Sequence, residues 1–216
     1  MTTSFRSRGR HARPLRAATL VAAALAGSAL LSGCAPLVLG GAAVGTVLVA
    51  NDRRTTGIQL EDQSIELKGR NRARDVAGDR GHVNVTSYNR IVLLTGEVPT
   101  EADRTRVEEA AKGIDNVRSV VNELAVMPAS SLTERANDGL LTSRVKASFI
   151  DVKDLDATAV KVVTERGVVH LMGRVTEAEA QRAAELARGV RGVQKVVRVF
   201  ELISAEELAA MRRSGG

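Results

Sequence analysis

The chain runs to 216 residues with no tryptophan, one tyrosine and three phenylalanines, so any core must be assembled from Val, Leu, Ile and Ala. One cysteine excludes an internal disulfide framework and a cysteine-based zinc site. Of the 31 basic side chains behind the net charge of +6, five (Arg6, Arg8, Arg10, Arg13 and Arg16) precede residue 34, where no acid does; the 26 that remain face 25 acids, and a near-neutral remainder almost without aromatics argues against a nucleic-acid partner.

Residues 1–16 are arginine-rich and polar, and residues 17–31, AATLVAAALAGSALL, are apolar throughout. This is the order of a secretory leader, and the run falls short of the roughly 20 residues that a bilayer span needs. Leu31-Ser32-Gly33-Cys34 resembles the bacterial lipobox, which ends in cysteine because its thiol is alkylated by diacylglycerol. The resemblance implies a signal peptide over 1–33 and a lipidated Cys34 at the mature N-terminus, where several acyl chains give stable anchoring. No cofactor is expected beyond that covalent lipid. Ala35, standing where some sorting signals carry aspartate, implies the outer membrane, again by resemblance. Residues 34–57 read as a glycine-rich, membrane-proximal linker, and the Gly41-x-x-x-Gly45 pair lies in an apolar run too short for a helix-dimer motif.

A first domain is expected over 58–126. It opens with a helix from about Glu61 to Arg74, then a strand beginning Val83-x-Val85, a turn at Asn89-Arg90 and a return strand ending near Gly96. Thr100-x-x-Asp103 caps a second helix with Ala102, Val107, Ala110 and Ala111 at helical spacing. Gly113 is the expected left-handed C-cap, and Val117, Val120, Val121 and Leu124 form a last strand. Residues 127–136 read as linker. The second domain, 137–203, repeats the order: a helix from Asn137 to about Ile150 with Leu141, Val145 and Ser148 on one stripe, a strand from Val160-x-Val162, and a turn at Glu165-Arg166-Gly167. A strand to Gly173 follows, then a helix capped by Thr176-x-x-Glu179 and carrying Ala180, Ala183, Ala184 and Ala187, with Gly189 as its C-cap. Val193, Val196, Val197 and Val199 close the unit, and a tail over 204–216 starts a short helix at Ser204, ending near Arg212-Arg213.

The two domains are copies. Residues 83–98 and 160–175 share six of sixteen positions at an offset of 77, and 100–121 and 176–197 share ten of twenty-two at 76. Each copy is α-β-β-α-β, an α+β module whose two helices cover one face of a three-stranded sheet. Leu94-Thr95-Gly96-Glu97-Val98 and Leu171-Met172-Gly173-Arg174-Val175, with the segments from Gly113 to Asn122 and from Gly189 to Arg198, resemble the signature of the BON domain. Two such copies behind a lipobox are similar to the dual-BON outer-membrane lipoprotein family.

Nothing in the sequence assembles a catalytic set. His82 reads as a surface residue and His170 as a solvated or half-buried strand position. No G-x-S-x-G elbow occurs, and Gly40-Gly41 is not followed by a P-loop lysine. An enzyme and a small-molecule substrate are therefore not expected. The first helix of copy two is distinctive: Asp138 is its only acid, placed by this reading at the N-terminal end, and Arg144 and Lys146 follow, with Leu140 off the apolar stripe. Two readings stay open from the residues alone, a core edge beside a solvated cationic face, or a surface contact with membrane. The family resemblance implies the second: an anionic phospholipid membrane bound through Asn137–Ile150, with Leu140, Leu141, Arg144, Lys146 and Phe149 as contact residues, Leu140 standing where relatives carry an aromatic. The alternative class is a protein-interaction adaptor for an envelope assembly or proteolysis system, with envelope proteins as partners.

Overall fold

The computed structural model describes residues 52–150 and 152–214. The expected leader, the lipobox with Cys34 and the glycine-rich segment through residue 51 lie outside the described residues.

The first module comprises α1 (Thr56–Ala77), β1 (His82–Tyr88), β2 (Ile91–Val98), α2 (Glu101–Lys112), β3 (Ser119–Asn122) and the two-residue β4 (Ala125–Val126). The second comprises α3 (Leu132–Phe149), β5 (Lys161–Glu165), β6 (Val168–Val175), α4 (Glu177–Gly189) and β7 (Lys195–Leu202), followed by α5 (Ala205–Ser214). The α-β-β-α-β order is thus present twice. In each sheet the hairpin is antiparallel and the last strand joins its centre in parallel, giving β1-β2-β3 and β5-β6-β7.

Helix ends follow local capping chemistry. Thr100 and Thr176 accept the amides of Asp103 and Glu179, and Thr176–Glu179 closes a reciprocal box. Two helices begin earlier than expected. Thr55 caps α1 at Thr56, and a Ser131–Glu134 capping box starts α3 at Leu132, so 132–136, read as linker, are helical. The left-handed C-cap role expected of Gly113 and Gly189 is not used. Gly113 has φ −77° and Gly189 lies inside α4, while the left-handed residues are Asn116 and Gly192, three positions further on.

Gly96 and Gly173 carry the family pattern for a steric reason. At φ 108° and 157° a Cβ would stand 1.9 Å from the His82 carbonyl oxygen and 2.3 Å from that of Ala159. Each hairpin turns through two left-handed residues, Asn89-Arg90 and Arg166-Gly167, the conformation that matches strand twist.

One face of each sheet carries its helices. Ile65, Val92, Leu94 and Val107 centre the first core; Val145, Phe149, Leu171 and Ala183 centre the second. The other faces are not solvated. Tyr88, Leu93, Met172 and Val199 form a third apolar cluster, so the two sheets pack back to back in a helix–sheet–sheet–helix stack. β2, IVLLTGEV, is buried along almost its whole length because both of its faces are covered. Polar bridges ring this seam: Asn84 to Glu165 (2.8 Å), Lys161 to Glu66 (2.8 Å), Asn89 to Glu201 (2.5 Å) and Arg166 to Glu97 (3.3 Å). His170, expected half-buried or solvated, is 2 % exposed in the seam, its Nε2 3.8 Å from Glu123, and among the described residues neither ring nitrogen has a hydrogen-bond partner. The incoming chain is strapped across both modules: Arg53 donates to Glu179 (2.6 and 2.8 Å) and to the Arg174 carbonyl, and Arg54 donates to Asp62 while lying 4.1 Å over the Tyr88 ring.

Candidate functional site

The residues expected to touch membrane lie on α3, and its geometry separates them. Asp138, Leu141, Val145 and Phe149 form the buried stripe. Leu141 (6 % exposed) and Phe149 (1 %) belong to the second core and so are withdrawn from the contact surface. Ser148, expected on the stripe, is displaced from it by Phe149. Arg144 and Lys146 are two positions apart, which on an α-helix is roughly 200° of rotation. They occupy opposite flanks. Leu140, 58 % exposed, is four positions before Arg144 and shares its flank.

That flank borders an open groove of about 630 Å³, within the range of small-ligand pockets. Its walls include Leu140 and Arg144 of α3, Met127 of the connector, Gly167 of the β5–β6 turn, Val168 at the start of β6, and Gly192 and Gln194 before β7. Lys146 is not among them. The lining acids are committed to local structure. Asp138 is not an N-terminal dipole partner, as expected from sequence. It lies mid-helix and accepts from the Arg166 amide (2.7 Å) and the Gly167 amide (2.9 Å), holding the left-handed turn. Glu134 accepts from the Ser131 amide and hydroxyl, which hold its carboxyl below the usual carboxylate range. Among the described residues Arg144 has no ion-pair or hydrogen-bond partner, so it is the uncommitted charge of the groove.

The first copy shows what closes such a groove. At an offset of 76, Asn137, Leu140, Arg144, Arg191 and Gly192 match Glu61, Ser64, Lys68, Asp115 and Asn116. In the first module Glu61 accepts from Asn116 (3.0 Å) and Lys68 faces Asp115 at 3.9 Å. In the second, the acid of that ion pair is Arg191, the asparagine is a glycine, and the helix presents an exposed leucine instead of serine. The change removes that polar pairing and leaves exposed Leu140 beside Arg144 in the groove wall, with Arg191 standing in sequence where the first copy has its acid. Gly192 and Met127 were missed in sequence because they reach the groove beside α3 only through the fold. The acid-to-base change between copies was the available signal.

Elsewhere the buried ionisable groups are structural. Burial, aided by Glu97 and Asp138, raises the pKa of Glu165, and burial lowers that of His170 against the opposing pull of Glu123. Among the described residues no three His, Cys, Asp or Glu side chains are grouped to hold a metal, and no helix is long and apolar enough to cross a membrane.

The BON domain family model matches residues 70–128 and 137–203. The chain is 41 % identical over 182 residues to "Outer membrane lipoprotein DolP" of Haemophilus influenzae, covering 83 % of this chain and 93 % of that protein. It is 33 % identical over 154 residues to "21 kDa hemolysin" of Actinobacillus pleuropneumoniae, covering 70 % and 79 %. It is 34 % identical over 117 residues to "Osmotically-inducible protein Y" of Escherichia coli, covering 53 % and 58 %.

Proposed function

The chain belongs to the BON-domain family, among its DolP-like lipoproteins, and from that premise we propose that its second BON domain binds anionic phospholipid through the groove beside α3 and so supports envelope integrity. The protein is an envelope-associated, non-catalytic module pair. In this reading diacylglycerol on Cys34 tethers it to the periplasmic face of the outer membrane, and the groove recognises what lies beside the tether.

One observation carries the reading. Arg144 is uncommitted and exposed, one helical turn from exposed Leu140, and Arg191 stands where the first copy has the neutralising Asp115. A cation beside an exposed aliphatic side chain suits the headgroup boundary of an anionic bilayer, where each basic residue contributes about 1 kcal/mol. The contact is led by Leu140, Arg144 and Arg191, with Met127 alongside; Lys146 lies on the far flank.

Vesicle flotation of the chain from Asp52 onward, which lacks the anchor, tests this. Binding is expected to vesicles containing phosphatidylglycerol and not to phosphatidylcholine alone. Arg144→Glu with Arg191→Glu should weaken it by at least about tenfold, and Lys146→Glu should change it little. Equal binding to both vesicles, or full binding by the double variant, overturns the reading.

A further inference from the structure

We infer that a second anion site, built for a phosphoryl group, lies where the end of α1 meets the start of α3. A pocket of about 340 Å³ opens there, lined by Arg70 and Arg74 of α1, Arg135 of α3, His82 of β1 and Asp79. Ligand sites favour such junctions between domains, where side chains from two units converge.

The charges are arranged for an anion. Arg70 and Arg74 stand one turn apart on α1, where like charges repel, and among the described residues neither is in an ion pair. Arg135 arrives from the other module with its guanidinium already held: Nε donates to Ser130 Oγ (3.1 Å) and Nη2 to the Ser130 carbonyl (2.6 Å). Its Nη1 makes no hydrogen bond among the described residues. Asp79 is the only acid of the lining. Three guanidiniums against one carboxylate leave an excess of two positive charges, which matches a phosphate monoester of about −1.5 to −2. Guanidinium forks suit paired phosphoryl oxygens.

His82 adds an imidazole to the lining. Burial and the Arg135 charge lower its pKa. Its Nε2 lies 3.2 Å from the Asn84 side-chain amide nitrogen. The site is separate from the groove beside Leu140: Arg135 and Arg144 are nine positions apart, roughly half a rotation around α3. Its test is therefore independent of the proposed lipid contact.

Isothermal titration calorimetry of the full chain in a non-ionic detergent, with inorganic phosphate against chloride at matched ionic strength, tests the site. Saturable binding is expected, weakened roughly tenfold or more by Arg70→Gln with Arg74→Gln and unchanged by Arg144→Gln. Repeating the titration on protein bound to phosphatidic acid vesicles identifies the source. Loss of the phosphate heat assigns the pocket to a lipid headgroup, and its persistence assigns it to a soluble phosphate ester. No saturable heat beyond chloride, or unchanged binding by a folded Arg70/Arg74 double variant, overturns the inference.

Discussion

Asp138 of α3 holds the turn at Arg166, 28 residues further on, through its amide at 2.7 Å, and holds the next amide, of Gly167, at 2.9 Å. The same device stands in the first module, where Asp62 accepts from the amides of Asn89 (2.8 Å) and Arg90 (2.7 Å) and from the Ser87 hydroxyl (2.6 Å). In both copies a buried carboxylate on the first helix satisfies a left-handed hairpin turn that the strands cannot satisfy.

Asp138→Ala strands two backbone donors and is expected to cost about 2–4 kcal/mol. Asp62→Ala should cost more, since it also releases the Arg54 ion pair. Denaturant unfolding of each variant measures this. A loss below about 0.5 kcal/mol would show that the turns hold themselves.

The glycine of each Leu-x-Gly-x-Val segment is expected to tolerate no side chain. Gly96→Ala and Gly173→Ala should each destabilise by roughly 3 kcal/mol or more, because the added Cβ meets the carbonyl oxygen of His82 or of Ala159. Gly139→Ala, where a Cβ meets nothing within 4 Å, is the control and should be neutral or stabilising, since Gly139 lies inside α3. Thermal unfolding distinguishes them.

The seam between the sheets should make the two modules one cooperative unit. Leu93→Ala or Met172→Ala removes a fully buried side chain from it and is expected to cost about 2–5 kcal/mol. The double variant should deviate from additivity, since neighbours in one cluster couple. Calorimetry should show one transition for the native chain and separation into two as the seam is emptied.

The seam also titrates, with two opposing signs. Burial lowers the folded pKa of His170 from 6.5, so the unfolded chain takes up the proton first and stability is lost as pH falls below about 6.5. Burial raises the folded pKa of Glu165 from 4.5, so its contribution is full below that value and is lost as pH rises through the folded pKa. His170→Leu should flatten the decline on the acid side. Glu165→Gln, which can still accept from Asn84, should stabilise the protein near neutral pH. Unfolding midpoints across pH 4.5–8 check both signs, and unchanged pH profiles would contradict the burial of these groups.

Much of the architecture was readable from residues alone. The duplication, the Thr-x-x-Asp/Glu caps and the paired hairpins follow from local chemistry that repeats at a fixed offset. The start of α3 was also written locally, as Ser131-Leu-Thr-Glu134, but the preceding Pro128 and small residues drew the boundary toward a linker. The back-to-back packing of the sheets was signalled only by the apolar run Ile91-Val92-Leu93-Leu94 that opens β2. Its partner face on β6 includes His170, which the pattern alone reads as solvated or half-buried. The groove was half legible: Leu140 and Arg144 share a helix flank by spacing alone, and the same spacing argument separates Lys146 from Arg144. The wall formed by Met127, Gly192 and Gln194 required the chain to be folded, because those residues come from the connector and from the turn before β7.

The groove's role is most directly tested by placing a polarity-sensitive fluorophore at Leu140→Cys, or at the duplicated position Ser64→Cys, in the chain from Asp52 onward, which contains no other cysteine. Vesicles containing phosphatidylglycerol should shift the emission of the probe at 140 to the blue and leave the probe at 64 unchanged, with neither responding to phosphatidylcholine vesicles. An unshifted probe at 140, or an equal shift at both positions, would contradict membrane recognition by the second domain.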